Sequence, residues 1–226
     1  MQKNTKKKLF VVAVAVCLIA ILSFSTLAWF SDSESVKNDF IVSSDDDETP
    51  DDIFSVDVFE WIDGEDPDEP EKVEEGGHEF ENVVPGDKLH KEPVVKNTGR
   101  YNQWVRLTLT FSDYDAWTAL MDGNTEGGPV NLLTKSGDWN KWVLDSATHD
   151  EDGYVYVYYL NTVLEPGVEV GTFTYVNIPG SLDQEDMFNI ESLSLDVKAE
   201  AVQVENVGAE NAKEAFETVE ADHPIR

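Results

Sequence analysis

In NQWVRLTLTFSD (102–113), Val105, Leu107, Leu109 and Phe111 alternate with Trp104, Arg106, Thr108 and Thr110. A period of two, carried by β-branched and aromatic side chains, predicts a half-buried β-strand. The same period recurs on both sides. IFSVDVFEW (53–61) reads as a strand, and VVPGDKLHKEPVVKNTG (83–99) places a Pro85-Gly86-Asp87 turn between short extended pieces. KWVLD (141–145) and GYVYVYYLNTV (153–163) are strands, LEPGVEVGTFTYVNIPG (164–180) is turn, strand and turn, and ESLSLDVKAEAVQVEN (191–206) alternates Leu193, Leu195, Val197, Ala199 and Ala201. In 153–163, Val155, Val157 and Tyr159 share one face. Tyr154, Tyr156 and Tyr158 share the other, and some of them are expected to be partly exposed.

Helix formers are confined to YDAWTALMDG (114–123), enough for one or two turns, and to GAENAKEAFETVEAD (208–222). Parallel strands would need crossover helices that this pattern lacks. The fold expected is therefore all-β, an antiparallel jelly-roll-like β-sandwich with acidic loop insertions and a short C-terminal helix. Residues 53–207 would form the sandwich and 208–226 a helical tail.

Of the 226 residues, 41% are hydrophobic and 11% aromatic, enough apolar material for a core. The charge is uneven. The formal net charge is −30, yet Lys3, Lys6, Lys7 and Lys8 precede every acid, and the chain after position 28 has 12 Lys/Arg against 46 Asp/Glu, a balance of −34. Such a surface excludes ordinary nucleic-acid binding, which relies on Lys and Arg to displace counterions from phosphates. It also opposes adsorption to anionic membranes. Residues 45–81 hold eighteen acids and one base, Lys72. SSDDDETPDD (43–52) reads as a solvated linker and DGEDPDEPEKVEEGG (63–77) as an exposed loop.

The N-terminal MQKNTKKK is followed by LFVVAVAVCLIAILSFSTLAWF, uncharged from Leu9 to Phe30. A basic region, an apolar run and the small-residue site Ser25-Thr26-Leu27-Ala28 describe a secretory signal peptide, residues 1–28, cut between Ala28 and Trp29. The alternative is an uncleaved anchor, since about 20 apolar residues span a bilayer; that leader is the expected membrane contact. The single cysteine, Cys17, lies inside the apolar run, so the mature chain has no disulfide framework. Residues 29–42 (WFSDSESVKNDFIV) alternate enough to suggest a strand. With the linker they form an arm over 29–52.

No residue set calls for catalysis. His78-Glu79 lacks a second histidine one helical turn on, so the zinc-protease pattern fails, and His78, His90, His149 and His223 read as surface residues. There is no nucleophile elbow, phosphate loop or dinucleotide glycine pattern. Calcium, which takes hard oxygen ligands from flexible loops, is the one ion considered, with Asp45, Asp46, Asp47, Asp66 and Asp68 as candidate ligands; no other cofactor is expected. Trp104, Trp117, Trp139, Trp142 and Tyr154, Tyr156, Tyr158 and Tyr159 could stack on sugars or fill the core.

AWFSDSESVKNDF (28–40) resembles the segment at the leader junction of exported TasA/camelysin-like proteins. NVVPGDKLHKEPVVKNTGRYNQWVRLTLT (82–110) looks like that family's PGD turn and following strands, and VNIPGSLDQEDMFNIESLSLDVKAEAVQVEN (176–206) is similar to its closing strands. About half the chain is covered. The resemblance implies a jelly-roll protein exported to the surface of a Gram-positive-type bacterium, with a dedicated signal peptidase removing the leader near Ala28. It implies a non-enzymatic fibre subunit of the biofilm matrix, self-associating and meeting other matrix or cell-wall components. Trp29, Phe30, Val36, Phe40 and Val42 would line a donor strand that completes the neighbour's sheet. The alternatives are a secreted camelysin-type metalloendopeptidase, which the zinc pattern does not support, and a carbohydrate-binding adhesion module using the aromatics.

Overall fold

A computed structural model describes residues 54–63, 70–73, 78, 80, 82–121, 126–182, 190, 193–205 and 207–222, and residues 31–36 as backbone. The chain divides into two compact units, Met1–Ser31 and Asp32–Arg226. Every described side chain belongs to the second.

The alternation at 102–113 becomes β6 (Gln103–Ser112), whose odd-numbered residues Val105, Leu107, Leu109 and Phe111 are wholly buried. It is hydrogen-bonded on both sides, antiparallel to β12 (Ser194–Gln203) and to β9 (Gly153–Leu160). With β1 (Ser31–Val36) and β8 (Trp142–Asp150) these strands form a five-stranded sheet in the order β1-β12-β6-β9-β8. A four-stranded sheet runs β10-β5-β2-β3, from β2 (Val56–Ile62), β3 (Glu71–Val73), β5 (Glu92–Asn97) and β10 (Glu169–Gly171). A third joins β4 (Lys88–His90), β11 (Phe173–Asn177) and β7 (Leu133–Lys135) in the order β4-β11-β7. One apolar core draws on all three sheets: Val56, Val58 and Val95 from the second and Phe173 and Val176 from the third meet Leu107, Leu109 and Val197. The architecture is all-β and sandwich-like.

The Pro85-Gly86 turn forms as expected. The Asp87 amide donates to the Val84 carbonyl (3.2 Å), the Val84 amide donates to Asp87 Oδ2 (2.8 Å), and Gly86 takes φ +92°, which suits glycine at the second central turn position. At the β8–β9 hairpin, Gly153 (φ +149°) runs so close to Phe111 that a Cβ would lie 2.0 Å from its carbonyl oxygen. Helix α1 (Tyr114–Leu120) is capped by Asp113, whose Oδ1 accepts from the Ala116 amide (2.9 Å).

Two expectations change. The exposed loop at 63–77 contains β3, paired with β2 through Glu60↔Val73, Trp61↔Lys72 and Ile62↔Glu71. Across this pairing the Lys72 ammonium lies over the Phe59 ring, 4.1 Å from Nζ to centroid, a cation–π contact. The strand begun at 141–145 continues to Asp150, because β9 offers a full-length partner. The C-terminal segment forms the expected helix, α2 (Ala212–Asp222), and it is packed: Ala212, Ala215 and Phe216 cover Trp104 and Val202 on the outer face of the five-stranded sheet. A helix with one apolar stripe needs such a surface.

Truncating Leu109 to alanine is expected to cost about 2–5 kcal/mol, because its site is closed on every side and cannot collapse. Urea unfolding of both proteins checks this, and a loss under 1 kcal/mol would contradict the packing described.

Candidate functional site

The five-stranded sheet has two ends of opposite character. At one, the backbone of Ser31–Val36 forms the outermost strand, beside β12. At the other lies β8, nine residues long and mostly exposed, with Val143 52% and Leu144 50% exposed. A register shift between Leu144 and Ser146 interrupts its ladder to β9. A bulge and a charge, here Asp145, are common protections of an edge strand against uncontrolled pairing.

The outer face between these ends is organised by Arg106. Its position in β6 is outward, opposite Glu200 of β12. Arg106 Nε donates to Glu200 Oε2 (2.9 Å) and Nη1 to Glu220 Oε1 of α2 (2.6 Å), while the guanidinium lies 4.4 Å from the Phe216 ring centre. Lys198 also donates to Glu200 (2.8 Å), and Lys213 of α2 donates to Asp145 of β8 (2.5 Å). Burial alone would lower the Arg106 pKa, but hydrogen bonds to Glu200 and Glu220 reverse that and raise it. Burial likewise pushes Glu200 up, yet Arg106 and Lys198 outweigh it and leave the carboxyl below its ordinary 4.5. The network clamps α2 to the sheet.

The residues singled out from sequence fall unevenly. Ala28, Trp29, Phe30, Phe40 and Val42 lie outside the described residues, as do Asp45, Asp46, Asp47, Asp66, Asp68 and His223. Val36 is the last residue of β1. Among the described residues no group of three or more His, Cys, Asp or Glu could hold a metal ion, and no helix is long and apolar enough to cross a membrane.

The histidines are not uniformly on the surface. His149 is exposed and stacks on Tyr114 (5.3 Å between ring centres), but His90 is only 12% exposed. Its Nδ1 lies 2.8 Å from Asp63 Oδ1, and its ring sits against Tyr175. The tyrosine face of β9 is also reversed from expectation. Tyr154, Tyr156 and Tyr158 pair with Phe111, Leu109 and Leu107 and are buried with them, while Val155 and Val157 are half-covered on the other face. Each of the first two tyrosine hydroxyls finds a partner at the core margin: Tyr156 donates to the Gly127 carbonyl (2.9 Å), and Tyr154 is 2.9 Å from Thr118 Oγ1. Trp104, Trp117 and Trp142 are buried too, and the Trp142 indole donates to the Gly171 carbonyl (3.0 Å). These six aromatics build the core, while Trp139 and Tyr159 are half-buried.

Two features were missed. The Arg106 clamp follows from an outward cation on the central strand and a helix with one apolar face. Glu60 was readable as an inward-facing acid, since Val56, Val58 and Ile62 share its alternation; its partner Lys91 was not. Their contact depends on the β2–β5 register.

The class is thus a sandwich-like all-β protein with a strand-bearing sheet edge. Compared with family models, with curated proteins and with solved structures, the chain matches none.

Glu200 stabilises the fold at pH values above its ordinary 4.5, and this contribution is lost as pH falls through the lowered folded value. Replacing Arg106 by methionine is expected to cost about 2–3 kcal/mol at neutral pH and to shrink that acid dependence, measured by urea titration at several pH values. Unchanged acid dependence would contradict the clamp. Burial pushes Tyr156 and Tyr158 up to about 12 from an ordinary 10.0. Their contribution is present below pH 10 and lost between pH 10 and about 12. Ultraviolet titration should show these phenols ionising late, together with unfolding.

Proposed function

We propose that this chain is a secreted structural protein of the cell surface or biofilm matrix of a Gram-positive-type bacterium. It would be a fibre subunit in which the N-terminal arm of one copy completes the sheet of the next. The observation that carries this reading is the placement of arm residues 31–36 as the edge strand beside β12. Such a strand makes the same backbone hydrogen bonds whether it comes from its own chain or a neighbour. Residues 37–53 separate it from the next described segment, and 17 residues span at most roughly 55–60 Å when extended, enough to reach an adjacent subunit. A head-to-tail exchange that does not close into a ring gives filaments.

The finer fold assignment is a jelly roll, in keeping with the TasA/camelysin-like resemblance of 28–40, 82–110 and 176–206. In that reading a signal peptidase frees Trp29 as the new N-terminus, other matrix or cell-wall components are the remaining partners, and the subunit performs no catalysis. Calcium acts on the acidic segment as a counterion. At about an 8 Å Debye length in physiological salt, eighteen acids within 45–81 repel the same region of a neighbour.

Electron microscopy of two purified proteins, one starting at Trp29 and one at Ile53, tests the arm. Filaments are expected from the first alone, and more readily with added salt, calcium or acid. Filaments that persist without the arm would overturn strand exchange.

A further inference from the structure

Glu60 and Lys91 form an ion pair inside the core. Glu60 sits on the inward face of β2 between Val58 and Ile62, and Lys91 precedes β5 on the face shared with Pro93 and Val95. Glu60 is 1% and Lys91 2% exposed, less than most of the apolar residues around them. Lys91 Nζ donates to Glu60 Oε1, whereas Glu60 Oε2 is buried with no hydrogen-bond partner among the described residues. The β2–β5 ladder, with Glu60↔Pro93 and Trp61↔Glu92, holds the two in place, and the Lys91 amide is anchored to the Thr174 carbonyl (3.2 Å).

A buried pair with one carboxylate oxygen unsatisfied is costly as separated ions. In water, hydration of the ammonium and the carboxylate is what favours the free amine and acid over the amide they could form. Burial takes that hydration away from both groups, and their direct contact gives the proton a path from the ammonium to the carboxylate. Fixed contact between such groups corresponds to effective concentrations of roughly 10⁵–10⁸ M.

We propose that Lys91 and Glu60 condense to an intramolecular isopeptide bond. In that reaction the Lys91 ammonium passes one proton to the Glu60 carboxylate, the freed lone pair on Nζ attacks Glu60 Cδ, and the C–N bond forms. One C–O bond then breaks, and that oxygen departs as water with two protons that originated on the ammonium. One hydrogen remains on nitrogen, nothing is oxidised or reduced, and no other reactant is consumed. Reversal needs water at a site closed to it. The product bridges residues 31 apart, tying β2 to the β4–β5 junction in a protein whose only cysteine is Cys17. It does not depend on polymerisation.

Intact-mass spectrometry of the purified protein tests the bond, with the N-terminus assigned from the same sample. The expected mass lies below the calculated one by one water, about 18 Da, and protease digestion should release a branched peptide joining the Glu60 and Lys91 segments. Lys91→Arg should restore the calculated mass. A wild-type chain at full mass, or a deficit that maps to other residues, would overturn the proposal whether or not the variant folds.

Discussion

The inward face of β6 is the constraint on which the other elements depend. Val105, Leu107, Leu109 and Phe111 are closed off completely, and each contributes about 1.5–3 kcal/mol by leaving water. Because β6 has a strand on either side, its register sets β9 and β12 at once, and with them which of their residues enter the core. Outside Cys17 there is no cysteine to supplement this packing. The core must therefore be continuous across the three sheets, and the shared cluster from Val56 to Ala201 is.

Polar groups are admitted to this framework at two places, and the physics differs. On the outer face Arg106 keeps partial access to water and gathers Glu200, Glu220 and the Phe216 ring, so each charge is answered as α2 docks. Inside, Glu60 and Lys91 are paired in a site closed to water, and among the described residues Glu60 Oε2 has no hydrogen-bond partner. The first arrangement is a clamp whose strength follows the ionisation of its carboxylates. The second is closed to water, the condition on which the proposed condensation of Lys91 with Glu60 depends.

The acidic surface and the strand edge act in opposition. An outermost strand beside β12 offers backbone groups to pair with, and β8 at the far end carries exposed Val143 and Leu144. Like charge at −30 opposes the approach of a second copy. Assembly by strand exchange would then be governed by ionic conditions and not by sequence-specific contacts alone.

Period-two alternation in 53–61, 102–113, 153–163 and 191–206 was sufficient to give the all-β class and the main strands, and the helix formers of 208–222 the last helix, because alternation and helix propensity are local properties of the chain. Which face of β9 turns inward was not local. Tyr154, Tyr156 and Tyr158 enter the core because they stand opposite Phe111, Leu109 and Leu107, a fact of register. Short strands such as Glu71–Val73 and Leu133–Lys135 carry too few residues for a period, and exist because a longer neighbour offers them a ladder. The meeting of Glu60 with Lys91 and of Arg106 with Glu220 joins residues 31 and 114 positions apart. Composition names such residues, but only long-range strand pairing and helix docking bring their charges together.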